Sequence, residues 1–82
     1  MNEENIFKSL VTTIARSIVD DENAVRVSVT EGKSTVLIEL NVADRDKGKV
    51  IGREGNMAWA IRTIVTNAAT RLNKKIVLHI LD

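Results

Sequence analysis

The chain has 82 residues, 44% of them apolar, and a formal net charge of +1, enough for one small domain over residues 1–82 and too little for two. It has no cysteine, which excludes disulfides and thiolate metal sites and suits a reducing, cytoplasmic setting. No apolar run approaches the roughly 20 residues of a membrane span, and the opening MNEENIFKSL is acidic and then amphipathic, unlike a secretory signal.

Ile6, Phe7, Leu10, Val11, Ile14, Ala15, Ile18 and Val19 recur at three-to-four spacing, which predicts an amphipathic helix of about four turns. Asp20, Asp21, Glu22 and Asn23 end it, because acids at a helix C-terminus oppose the dipole. Val25, Val27 and Val29 alternate with polar residues and predict a strand with one buried face. Glu31-Gly32-Lys33 is a short turn, and Val36, Ile38, Leu40 and Val42 form a second strand that completes a hairpin. A charged loop, ADRDK, covers Ala43 to Lys47, where Asp46 suits the N-cap of a short helix through Lys49, Val50 and Ile51. After Gly55 a long helix follows, with Asn56 as N-cap and a stripe of Ala58, Ile61, Val65, Ala68 and Leu72, widened by Ile64 and Ala69. Asn73 suits a left-handed cap, and Lys74 and Lys75 favour that end of the dipole. Ile76, Leu78 and Ile80 predict the last strand. The order is α-β-β-α-α-β. Three strands with one buried face need helices packed over that face, so the fold class is α+β in two layers.

Charge divides unevenly along this order. Residues 1–43 carry four basic side chains against seven acidic ones. Residues 44–75 carry eight basic against three acidic. The basic part surrounds Gly52 and Gly55, and local positive charge suits an anionic partner, although a merely solvated basic face gives the same count.

The two glycines sit where a short helix must turn into a long one. Glycine permits backbone angles that other residues resist, and it lets another backbone approach. Free N–H groups at the start of the long helix attract phosphate. Arg53 can pair with a phosphate while Glu54 works against it. A P-loop would need four residues between its glycines followed by Lys-Ser/Thr, and a dinucleotide fingerprint a third glycine and a preceding strand; both are absent. What remains is GxxG between two helices, after a hairpin and before a final strand.

The run DKGKVIGREGNMAWAIRTIV, with this element order, resembles a KH domain, and VIGxxG is that family's signature. A helix and hairpin before the signature and one strand after it look like the type II, prokaryotic arrangement. The resemblance covers nearly the whole chain and points to the small stand-alone bacterial KH proteins. It implies a single-stranded RNA binder without catalysis, an RNA chaperone or post-transcriptional regulator. KH domains clamp about four nucleotides, with the GxxG loop against the backbone. Carried over by position, Gly52, Arg53, Glu54 and Gly55 contact phosphates. Val50 and Ile51 line the apolar groove, and the second strand around Ile38 to Leu40 forms its other wall. Lys47, Lys49 and Arg62 are candidates for flanking electrostatic contacts. Such proteins are expected to pair with themselves or with a larger KH-containing partner. The alternative is a KH-fold interaction module in which RNA binding is weak or lost, favoured by the neutral Arg53-Glu54 tip and by Trp59.

Aromatic residues are only 2% of the chain; an aliphatic KH groove can do without them, unlike a sheet that stacks bases. Trp59, one turn into the long helix, suits the edge of the core, a base-stacking platform or a protein interface, and an interface ranks above stacking. His79 is the single histidine, on the outward phase of the last strand, so no transition-metal site and no cofactor are expected. Asp44 and Asp46 flank Arg45 and balance local charge. No nucleophile has a base to activate it.

Overall fold

The computed structural model describes residues 3–81, with side chains from Ile6 onward; Met1, Asn2 and Asp82, counted in the domain span above, lie outside the described residues. Helix α1 spans Glu3–Ile18, strands β1 and β2 span Arg26–Glu31 and Thr35–Asn41, helices α2 and α3 span Lys47–Ile51 and Asn56–Thr70, and strand β3 spans Lys75–Ile80. The predicted order α-β-β-α-α-β holds throughout. Short 3₁₀ turns at Glu22–Ala24, Asp44–Asp46 and Arg53–Gly55 fill the connections.

The sheet runs β1-β2-β3. β1 and β2 are antiparallel, with Val29 opposite Ile38, and β2 and β3 are parallel, with Ile38 beside Leu78. A parallel pair needs a crossover, and α2, the glycine turn and α3 supply it. The period-two alternation is strict in β2. Val36, Ile38 and Leu40 are fully buried under the helices, whereas Thr35 and Asn41 on the other face are exposed. His79 is exposed on β3, as its phase predicted.

Helices α1 and α3 cover one face of the sheet, and the core lies between. Phe7, Val11 and Ala15 of α1 and Ile61, Val65 and Ala69 of α3 meet the inward residues of the strands there. Fully burying a side chain the size of Phe7, Ile38, Leu40 or Ile61 contributes about 1.5–3 kcal/mol. Two residues assigned to helix stripes are not core: Ile6 and Ile64 are 44% and 47% exposed. Both lie at the flanks of their apolar faces and are only about half covered.

The far end of α3 closes as predicted at Asn73, which is left-handed at φ 58°. The Asn73 N–H donates to the Thr70 carbonyl (3.1 Å) and the Lys74 N–H to the Ala69 carbonyl (3.0 Å), the paired closure of a Schellman motif. The Lys74 side chain does not serve the helix dipole. Its Nζ donates to Glu31 Oε2 at 2.6 Å and to the Gly32 carbonyl at 3.2 Å, tying the end of α3 to the hairpin turn.

Candidate nucleic-acid interface

α2 ends with the Gly52 N–H donating to the Gly48 carbonyl at 2.8 Å. Gly52 then takes φ 77°, ψ 174°, a region essentially confined to glycine. A Cβ on Gly52 would lie 2.6 Å from Met57 Cβ and 2.8 Å from Met57 N, so space forbids a side chain as well. Gly55 is left-handed at φ 77°, ψ 10°, but a Cβ there would meet nothing within 4 Å. Between them Arg53 and Glu54 form an exposed tip, and Glu54 is itself left-handed at φ 55°, ψ 25°. A non-glycine residue so placed carries about 1–2 kcal/mol of strain. Strain of this kind survives only where the surroundings impose it, here the need to turn one helix into the next within four residues.

The glycine turn also sets the start of α3. Asn56 is not the N-cap: it is already helical at φ −64°, ψ −36°, and Gly55 holds the cap position without a side-chain bond. The first-turn N–H groups of α3 therefore meet no capping side chain, and the dipole adds partial positive charge beside the exposed Arg53.

The predicted cations divide. Arg53 and Arg62 are exposed. Lys47 keeps only 18% of its side chain exposed and pairs with Asp44 at 3.4 Å. Lys49 donates to Asp20 Oδ2 at 2.6 Å and to Asp46 Oδ1 at 3.2 Å. Those two carboxylates raise its pKa, so its charge is held by the protein and not left beside the loop.

Asp46 departs most from expectation. It holds the N-cap position of α2, as predicted, but its carboxylate serves neither that helix's N–H groups nor Arg45. Its side chain makes no cap bond and is fully buried. Asp46 Oδ2 accepts from the Asp21 N–H at 3.0 Å and Oδ1 from the Asp20 N–H at 3.3 Å, while the Lys49 ammonium completes its shell. The Asp21 N–H above all, with the Asp20 N–H and Lys49, holds this carboxyl below its usual pKa against the upward push of burial. The carboxylate thus pins the segment after α1 to the start of α2, and so anchors the helix from which the glycine loop departs.

The apolar candidates divide as well. Val50 and Ile38 are fully buried, as is Leu40, and offer no surface to a ligand. The reason is phase: Val50 faces inward from α2, and Ile38 and Leu40 share the helix-facing side of β2. Ile51 is 42% exposed and Met57 36%. Met57, packed by its Cβ against Gly52, went unnoticed in the sequence, although its place two residues after Gly55 was a usable signal. Trp59 is 64% exposed, which removes the core-edge placement. It lies one turn before Arg62 on the same side of α3.

A two-layer α-β-β-α-α-β domain with a GxxG turn between its second and third helices defines a KH domain of the type II arrangement. A family model described as "KhpA/KhpB, KH domain" matches residues 8–80. Similar proteins include RNA-binding protein KhpA of Clostridium acetobutylicum, 46% identical over 74 residues, which make up 90% of this chain and 99% of that one. RNA-binding protein KhpA of Aquifex aeolicus is 44% identical over 75 residues, 92% of this chain and 95% of that one. The chain belongs to the KhpA/KhpB family of KH domains.

Proposed function

We propose that the protein binds single-stranded RNA, with the Gly52–Gly55 loop against the phosphate backbone, and acts in the cytoplasm as an RNA chaperone or post-transcriptional regulator without catalysis. The observation that carries this is the loop itself: two glycines at positive φ, an exposed Arg53, and α3 N–H groups with no capping side chain. Backbone N–H groups at a helix start, joined by one guanidinium, suit a phosphate. Ile51 and Met57 are the exposed apolar side chains flanking the loop, suited to the base side of a groove. With Lys47 and Lys49 committed to acids, Arg53 and Arg62 carry the electrostatic part, so affinity per site is low.

The test is fluorescence anisotropy of a short labelled single-stranded RNA, titrated with wild type and an Arg53→Asp, Glu54→Asp double variant. Asp tolerates the left-handed position of Glu54, so the variant folds. Binding is lost in the variant alone. For two or three phosphates, log K falls against log salt with a slope of roughly −1.5 to −2. Equal binding by both proteins, or a flat salt response, refutes the loop assignment.

Trp59 favours a second reading, in which the KH fold pairs with a second copy or with a larger KH-containing partner. A tryptophan 64% exposed on a helix is more typical of an interface than of free surface. The two readings are compatible, because a dimer presents two weak grooves and gains avidity from both.

A further inference from the structure

The N-terminal half of the chain is acidic in sequence, yet it builds a basic groove. Residues 1–43 hold four cations, Lys8, Arg16, Arg26 and Lys33, against seven acids. Three of those four line one open groove of about 440 Å³ that runs from α1 past the edge strand β1 to Glu39 and Asn41 on the sheet's outer face. Lys8, Thr12 and Arg16 stand four residues apart along one side of α1, next to Val27 of β1, and Arg26 at the strand's start lines the groove from the outer face, opposite Asn41. Glu39 is the single acid on the groove wall. Lys8 and Arg16 are exposed and enter no ion pair among the described residues. Arg26 is held in place, its Nη1 donating to the carbonyls of Asn23 (2.7 Å) and Val25 (2.9 Å). Its Nε and Nη2 donors are uncommitted among the described residues.

This groove is separate from the glycine loop. The sheet order puts β1 and β3 on opposite edges. α1 packs chiefly on β1 and α3 on β3, and the loop contacts α2 and α3. Three cations against one acid call for an anionic occupant. From Lys8 to Arg16 is eight residues of helix, about 12 Å, the run of roughly three or four stacked nucleotides. A KH groove holds only about four nucleotides, so a longer strand carries further phosphates that the loop cannot reach. The groove has no aromatic side chain among its lining residues, which suits backbone contact and not base stacking.

We propose that the α1–β1 groove is a second contact for single-stranded RNA, taking the phosphodiester backbone of nucleotides beyond those at the glycine loop. This rests on the RNA-binding reading above. The contact positions the strand and reads no sequence.

The experiment compares two labelled single-stranded RNAs, of about five and about fifteen nucleotides, by anisotropy across a salt series. The proteins are wild type, a Lys8→Gln, Arg16→Gln double variant, Lys33→Gln and the Arg53→Asp, Glu54→Asp loop variant. Glutamine matches lysine and arginine in helix propensity, and both sites are exposed, so the double variant folds; circular dichroism checks this. The double variant binds the long RNA several-fold more weakly, with a salt slope shallower by about 1.4, two single-strand phosphates. It binds the short RNA as wild type does. Lys33→Gln, in the hairpin turn, changes neither. An unchanged affinity and slope on the long RNA overturns the proposal even where the loop variant fails to bind. Loss of short-RNA binding only in the loop variant upholds the loop reading independently, and a loop variant that still binds the short RNA refutes that reading alone. A wild type that binds neither RNA overturns both. Capture of a polyglutamate peptide in preference to RNA, lost in the double variant, assigns the groove to an acidic protein and overturns the RNA proposal.

Discussion

Replacing each loop glycine by alanine compares two positions that share φ and differ in ψ and in surroundings. Both have φ 77°. Gly52 adds ψ 174°, where a non-glycine residue costs about 1–3 kcal/mol. Its new Cβ would meet Met57 Cβ at 2.6 Å, well inside an ordinary carbon contact of about 3.5–4.0 Å, and overpacking of this kind costs about 1–3 kcal/mol more. Alanine returns about 0.4–1 kcal/mol by restricting the unfolded chain. The net loss for Gly52→Ala is about 2–5 kcal/mol. Gly55→Ala meets open space and faces only the left-handed cost of about 1–2 kcal/mol, less the same unfolded-state gain, so about 1 kcal/mol remains. In a domain of this size each kcal/mol moves Tm by roughly 4–8 °C. Thermal and urea unfolding followed by far-UV circular dichroism therefore place Gly55→Ala a few degrees below wild type and Gly52→Ala at least twice as far below. Equal losses, or a larger loss at Gly55, would refute the contact with Met57 as the deciding term.

Three further outcomes follow from the site. Asp46 has a lowered pKa in the fold, so its ionised form contributes stability above its unfolded value of about 3.9. That contribution is lost as pH falls through the folded value. Asp46→Asn is therefore less stable than wild type at neutral pH and shows a flatter decline between about pH 5 and pH 3; parallel acid-unfolding curves would sink the assignment. Val50→Ala and Ile51→Ala, neighbours in sequence, act on different properties. Val50 is fully buried, and its truncation costs roughly 2 kcal/mol by urea midpoint. Ile51→Ala stays within about 0.5 kcal/mol of wild type and weakens RNA binding instead; the reverse pattern would exchange their roles. Trp59→Ala keeps the fold, because the side chain is 64% exposed, and lowers the apparent mass in analytical ultracentrifugation. An unchanged mass for a self-associating protein would remove Trp59 from the interface.

Much of the fold was legible because its signals are local. The period of two in Val36, Ile38 and Leu40 and the three-to-four spacing of Phe7, Val11 and Ala15 each report a single element, and all are buried as predicted. The left-handed Asn73 and the positive φ of Gly52 and Gly55 likewise follow from residue type. Helix flanks read less well. Ile6 and Ile64 fit the helical period, but how far a flank is covered depends on what packs beside it, and both stay nearly half exposed.

Tertiary structure decided the rest by choosing partners distant in sequence. Asp46 stands at the N-cap position of α2 that its local sequence predicts, but its carboxylate does not cap that helix. It binds the N–H groups of Asp20 and Asp21, 26 and 25 residues away, and no spacing rule encodes that. The same long-range choice takes Lys49 away from the loop and leaves Arg53 and Arg62 exposed. Charge counted along the chain assigned positive potential to one half of the protein, while charge gathered in space also placed Lys8, Arg16 and Arg26 in a groove of the acidic half. The sequence by itself determined the elements, their order and the glycine loop, since periodicity and backbone preference act over a few residues. Which charges are free and which apolar side chains are surface depended on neighbours brought together only by folding.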